Sequence, residues 1–170
     1  MKFFPRLILI TALVFSQIPA ANATQYLTGG IGRFDFTGTH TDSMDFAAEW
    51  RGNPFLYGFL PVIGAEVNTD SGMYGFVGIN YDWEFNPNWY LTPSVAIGGW
   101  RRGDSTDLGG ALEFREGLEL DYKFPEGYRA GARFTHISNT GIYAQNPGEE
   151  SLMATFSIPL TGEPHQQYQQ

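Results

Sequence analysis

The sequence contains no cysteine, so disulfide bonds cannot hold its fold together. It is also poor in lysine, with only Lys2 and Lys123, and its 18 acidic residues exceed its 10 basic ones to give a formal net charge of −8. Nucleic-acid binding needs a basic surface. The sequence therefore excludes nucleic acid as a partner and predicts a fold stabilised by packing and polar contacts alone.

Long apolar runs are absent apart from one near the N terminus. Leu7–Phe15 is apolar, follows the basic residues Lys2 and Arg6, and precedes a small-x-small sequence at Ala21–Ala23. This order is typical of a cleaved secretory signal. A helical membrane anchor would need a run of about 20 residues. We therefore expect residues 1–23 to be a signal peptide and the exported chain to be more acidic still.

The rest of the chain shows no useful helix-period segment and instead alternates apolar with polar residues, as strands do. Most of the alternating segments have the length with which a tilted strand crosses a bilayer, roughly 9–11 residues. The eight predicted strands are residues 25–36, 44–52, 59–69, 73–85, 88–101, 110–124, 127–139 and 150–160.

The connections between the predicted strands alternate in length. Short turn sequences (RGNPF, NPN and PEG) follow strands 2, 4 and 6, whereas longer polar segments follow strands 1, 5 and 7. The connection NTDSG, after strand 3, is a short exception. Outer-membrane barrels have short periplasmic turns and longer outer loops. This arrangement predicts a barrel over residues 24–160, followed by a polar tail at 161–170.

Alternation alone does not say which face of the strands is inside. In the fourth strand Val77, Ile79 and Tyr81 share one face, an arrangement that a soluble ligand-binding barrel would also show with its apolar face inward. Tryptophans near strand ends, such as Trp83 and Trp89, and the scarcity of lysine favour an apolar outer face. We therefore predict an all-β fold, an eight-stranded antiparallel up-and-down transmembrane β-barrel. Glu116, which breaks the apolar face of the sixth strand, has no explanation from the sequence.

The seventh strand ends with a candidate catalytic pair. His136 and Ser138 lie two residues apart and therefore share a face of the strand with Phe134. A serine nucleophile needs a base within hydrogen-bonding reach and a third group that orients the base. On the following strand, alternation places Glu150 on this same outer face and Glu149 on the opposite face. Glu150 is accordingly the predicted orienting acid.

The loop between these two strands carries candidate oxyanion donors. They are Asn139, Asn146 and the backbone around Gly148. Because His-x-Ser is a common pair, the alternative is a polar strand end at the level of the lipid headgroups. Arg101 and Arg102 lie at the outer rim and could bind lipid phosphates, or simply extend their charges to the interface. No histidine has partners at metal-ligand spacing, so no metal or organic cofactor is expected.

Three segments carry a family resemblance: HISNTGI at 136–142, NPGEE at 146–150 and, more loosely, EFREGLEL at 113–120. They resemble the PagL family of outer-membrane lipid A 3-O-deacylases. The resemblance implies an eight-stranded barrel in the bacterial outer membrane with a Ser-His-Glu triad on its lipid-facing surface. It implies His136 as the base, Ser138 as the nucleophile, Glu150 as the acid and Asn146 as the oxyanion donor, supported by Asn139 and Gly148. The implied substrate is lipid A, the lipid part of lipopolysaccharide.

Other functions remain open from the sequence. A non-catalytic barrel serving adhesion or membrane integrity would need none of the triad chemistry, and a soluble barrel would bind its ligand inside. An acyltransferase would leave a new acylated product where a hydrolase leaves free fatty acid. The sequence also leaves the oligomeric state open, a homodimer included.

Overall fold

The computed structural model describes residues 25–38 and 43–160. The predicted signal peptide and the polar tail lie outside these residues and remain predictions. The strands are β1 (Tyr26–Arg33), β2 (Met44–Arg51), β3 (Phe59–Asn68), β4 (Met73–Tyr81), β5 (Trp83–Asn86), β6 (Trp89–Arg101), β7 (Leu112–Lys123), β8 (Arg129–Ser138) and β9 (Glu149–Pro159). A 3₁₀ turn, Leu56–Gly58, precedes β3.

The strands form one closed antiparallel sheet in which consecutive strands pair with each other, except β4 with β5, and β1 pairs with β9. The segments β4 and β5 both pair with β6, and they keep one register on either side of Asp82. They are therefore two parts of one long strand, and the fold is the predicted eight-stranded up-and-down barrel. Within the described part of the chain, no helix has the length and apolar character needed to cross a membrane.

The apolar face of the strands points outward. On β4, Val77 is 52% exposed, and apolar side chains are exposed in the same way around the barrel, such as Ile63, Val95 and Leu118. The alternate positions carry polar side chains into the lumen, where Glu49 and Arg115 are almost completely buried. A barrel with an apolar outer surface and a charged interior suits a lipid surrounding, since a water-soluble barrel has the opposite arrangement. The soluble ligand-binding barrel is therefore excluded.

Ion pairs fill the lumen. Glu49 accepts two hydrogen bonds from Arg133, each 2.9 Å long, and forms an ion pair of 2.7 Å with Arg51. Arg51 and Arg133 also both contact Glu119. Toward the outer end of the barrel, Phe34 stacks on Trp100 with ring centroids 5.7 Å apart. The interior is thus packed with side chains, as in other small barrels.

Candidate functional site

His136 and Ser138 lie on the outer surface of β8, close to its end. Arg133, Thr135 and Ile137 on the same strand are buried on the inside, so the alternation of the strand turns His136 and Ser138 toward the lipid. Ser138 is the last residue of β8, and the long loop to β9 follows it directly. The two side chains are therefore at the boundary between the apolar outer surface and the outer loops.

Glu150 stands directly beside His136. The second residue of β9, it is the register partner of His136, and its Oε1 is 3.0 Å from the imidazole Nδ1. Both side chains are partly exposed, by 36% for His136 and 29% for Glu150. Glu149 is fully buried in the lumen, where the hydroxyl of Ser151 donates to it. Glu149 and Glu150 thus lie on the faces that alternation predicts. Because Glu150 contacts Nδ1 of His136, Nε2 of the ring remains available to another partner.

The hydroxyl of Ser138 has no hydrogen-bond partner among the described residues, His136 included. Two positions along a strand correspond to roughly 7 Å of rise, with both side chains on one face. A contact between nucleophile and base is often long in an enzyme without substrate and tightens when substrate binds. The arrangement therefore provides an available hydroxyl beside an imidazole that an acid already orients.

The loop after β8 is organised by Asn139. Its side-chain amide donates to the carbonyl oxygens of Leu108 (2.6 Å) and Gln145 (2.8 Å), and its Oδ1 accepts from the N–H of Gly141 (3.0 Å). These contacts occupy the buried Asn139 side chain completely, so it supports the loop and is unavailable to bind an oxyanion. Its backbone N–H donates to Oδ1 of Asn146 (2.9 Å).

This hydrogen bond fixes the side chain of Asn146 through its oxygen. Asn139 directly follows Ser138 in the chain, so the Asn146 amide is held close to Ser138. No described residue accepts a hydrogen bond from the Nδ2 group of Asn146, and the residue is exposed. An amide held in this way can donate to a negatively charged oxygen that forms near Ser138. Of the predicted oxyanion residues, Asn146 is the one whose side chain remains available.

Gly148 lies against the imidazole ring. A Cβ atom on this residue would be 2.7 Å from Cε1 of His136 and 3.4 Å from Nε2. Its backbone φ is +70°, in the left-handed region that favours glycine. A side chain here would collide with the base, so glycine is what allows the loop to pack over His136.

Two further residues lie at the site that the sequence did not assign to it. The hydroxyl of Thr37, in the first outer loop, donates to Oε2 of Glu150. Glu116 on β7 is the register partner of His136 on the side opposite Glu150. The interrupted alternation at Glu116 was a sequence signal for that residue, whereas Thr37 lies 113 positions from Glu150 and gave no signal.

Arg101 and Arg102 are not in contact with these residues. Arg101 is exposed at the end of β6, which β7 separates from β8. Arg102 forms an exposed ion pair with Asp107 (3.3 Å) and donates from Nε to the carbonyl of Ser105 (2.9 Å). Among the described residues there is also no group of three or more His, Cys, Asp or Glu side chains that could hold a metal ion.

A depression of about 610 Å³ lies on the outer surface formed by β9, β1 and β2. Its floor is made by the small outward residues Gly29, Ala48 and Ala154, and larger side chains such as Phe46 and Phe156 surround it. On β9 it begins at Ala154, which is two outward positions beyond Glu150. The outer surface near the site is therefore apolar and locally concave.

Comparison with known proteins gives one family and one fold. A family model described as lipid A 3-O-deacylase (PagL) matches residues 23–159. A search of curated proteins finds no match. The solved crystal structure of the outer membrane enzyme PagL aligns with a TM-score of 0.65 and 16% identity, covering 79% of this chain and 99% of that one. A de novo designed transmembrane β-barrel aligns at 0.53 and 14% identity, covering 84% and 98%. At such identities the structural matches establish the fold alone.

Proposed function

The chain belongs to the PagL family of lipid A 3-O-deacylases, and on that basis we propose that Ser138, His136 and Glu150 form its catalytic triad on the lipid-facing surface. The protein is an outer-membrane hydrolase, and lipid A is the substrate of its family. The observation that carries the proposal is the 3.0 Å contact between His136 Nδ1 and Glu150 Oε1 beside the available hydroxyl of Ser138. A non-catalytic barrel would gain nothing from this arrangement, because polar groups are costly on a lipid-facing surface.

In the proposed reaction Ser138 Oγ attacks the carbonyl carbon of the ester at the 3-position of lipid A. Nε2 of His136 accepts the serine proton and then gives it to the departing sugar oxygen. Glu150 holds Nδ1–H and stabilises the imidazolium that forms between these steps. Water then attacks the acyl-enzyme with His136 again as base, which releases free fatty acid and regenerates Ser138.

We assign Asn146 as the side-chain oxyanion donor. Because its Oδ1 is held by the N–H of Asn139, its Nδ2 group can be directed at the developing charge without reorganisation. Asn139 then acts as a support for the loop, and Gly148 leaves space for the imidazole. In other serine hydrolases, removing one such donor lowers kcat by roughly 10²–10³.

The substrate would approach from the side, through the outer leaflet. The ion pairs that fill the lumen support this route, because they leave the outer surface as the accessible one. The acyl chain would lie along outward apolar side chains, and the depression on β9, β1 and β2 offers room for one. Arg101 and Arg102, exposed at the outer rim, would contact the lipid A phosphates.

The proposed chemistry does not need a second copy of the chain. All three triad residues come from β8 and β9 of one barrel. The homodimer therefore remains a prediction from the sequence, with no role in the reaction as proposed.

The test is mass spectrometry of lipid A from cells that produce the wild-type protein or Ser138→Ala. We expect wild-type cells alone to lose one hydroxyacyl group from lipid A and to release the matching free fatty acid. Identical spectra, with both proteins folded in the outer membrane, would favour the structural barrel instead. An acylated acceptor in place of free fatty acid would indicate acyl transfer.

A further inference from the structure

Glu150 uses both of its carboxylate oxygens. Oε1 contacts Nδ1 of His136 at 3.0 Å, and Oε2 accepts a hydrogen bond from the hydroxyl of Thr37. A threonine hydroxyl has a single proton, so this donation commits it to the carboxylate. The second contact fixes the plane of the carboxylate, which the contact with His136 alone would leave free to rotate.

The backbone around Thr37 is attached to β9. The N–H of Phe36 donates to the carbonyl oxygen of Glu150 (2.9 Å), which extends the pairing of β1 with β9 past the end of β1. The neighbouring Asp35 accepts a hydrogen bond from the hydroxyl of Thr106 (3.0 Å). The segment that carries Thr37 is therefore held by a main-chain contact with β9 and a side-chain contact with Thr106, and the Thr37 hydroxyl reaches Glu150 from this supported segment.

The Phe36 side chain adds a second attachment on the outer surface. Its ring meets that of Phe134 edge to face, with centroids 6.1 Å apart. Phe134 lies two residues before His136 on the same face of β8. Residues 36 and 37 thus contact both strands that carry the proposed triad.

We propose that Thr37 is a positioning residue that orients the carboxylate of Glu150 and thereby the imidazole of His136. The inference rests on the proposed triad and extends it to a fourth residue. A hydrogen bond to one carboxylate oxygen fixes the direction of the other, and a well-directed contact to a charged group is stronger than a poorly directed one. Thr37 does not touch the reacting atoms, so its contribution passes entirely through Glu150.

The first experiment compares Thr37→Val with Thr37→Ser in purified, detergent-solubilised protein acting on lipopolysaccharide. We expect Thr37→Val, which keeps the shape but loses the hydroxyl, to lower kcat roughly tenfold with an unchanged KM. We expect Thr37→Ser to restore most of kcat. Thr37→Ala serves as a second hydroxyl-free variant, and circular dichroism checks folding in each case.

Thr69→Val is the matched control. Its hydroxyl hydrogen-bonds Ser43 Oγ and the N–H of Met44, both at 3.1 Å, so the substitution also removes threonine contacts at the outer rim but does not affect the triad. We expect its kcat to equal that of the wild type. Wild-type kcat in both Thr37→Val and Thr37→Ala would overturn the inference. So would a change confined to KM, or an equal loss in Thr37→Ser.

A second comparison tests whether Thr37 acts through Glu150. In a Glu150→Gln background, with slow turnover followed by mass spectrometry, we expect Thr37→Val to cause less than about a twofold further loss. A further tenfold loss would show an independent role and overturn the inference. Ser138→Ala, assayed alongside, separates a failure of the proposed triad from a failure of the proposed role of Thr37. If it keeps activity, the triad itself is wrong; if it is inactive while Thr37→Val equals wild type, only the role of Thr37 is wrong.

Discussion

At the scale of single residues, the site places one imidazole between two carboxylates. The antiparallel register pairs His136 with Glu150 on β9 and with Glu116 on β7, and all three side chains face outward. Only Glu150 forms a hydrogen bond with the ring. The geometry therefore distinguishes two acids that the sequence places on the same surface.

Substituting each acid in turn tests this distinction. Glu150→Gln presents an amide to Nδ1, which favours the wrong imidazole tautomer and removes the charge that stabilises the imidazolium. We expect a loss of kcat of about 10²–10⁴. Glu116→Gln should stay within about threefold of wild type, since it does not contact the ring. Deacylation rates of purified variants provide the measurement, and the reverse order of effects would reassign the acid to Glu116.

At the scale of elements, alternation controls which side chains meet lipid. The sequence predicts one strand over 73–85, and β4 and β5 keep its register and its faces on both sides of Asp82. At the interruption, Asp82 accepts hydrogen bonds from the hydroxyl of Thr92 (2.9 Å) and from Arg129 (2.6 Å). The pairing with β6 is absent at residues 81 and 82 and resumes at residue 83 in the same register.

The cost in stability of an arginine in the middle of β4 should report on the lipid around the barrel. Val77 lies halfway along the strand with its side chain outward, so Val77→Arg should lower the free energy of unfolding in lipid vesicles by about 2–4 kcal/mol. Met73→Arg, on the same face at the end of the strand, should lower it by at most about 1 kcal/mol. Denaturant titration followed by tryptophan fluorescence distinguishes the two. Equal costs at both positions would contradict a depth-dependent lipid surface.

At the scale of the whole molecule, the barrel is held by buried charges in its lumen. Glu49 connects Arg51, Arg115 and Arg133, which come from β2, β7 and β8. These side chains are 1–3% exposed. Removing one member of such a network leaves buried charges without compensation, which costs more than the intact network contributes.

We expect Glu49→Gln to lower the free energy of unfolding by about 3–5 kcal/mol, because three arginines then lose a buried counter-charge. Asp107→Asn breaks the exposed pair with Arg102 and should change stability by at most about 1 kcal/mol. Urea titration of both variants in the same lipid gives the comparison. A cost for Glu49→Gln no larger than that for Asp107→Asn would mean that water in the lumen replaces the lost contacts.

The sequence by itself determined the strand pattern and the set of side chains on each face, because successive side chains of a strand point to opposite faces. It thereby separated Glu150 from Glu149 and grouped Glu150 with His136 and Ser138. Only the tertiary structure decided which face is outside, since alternation reads the same when a barrel is turned inside out. Closure of the sheet brought Thr37 to Glu150 across 113 residues, and the packing of the last loop set Gly148 against His136. Such contacts depend on register and loop conformation, which are properties of the closed barrel and not of any one segment.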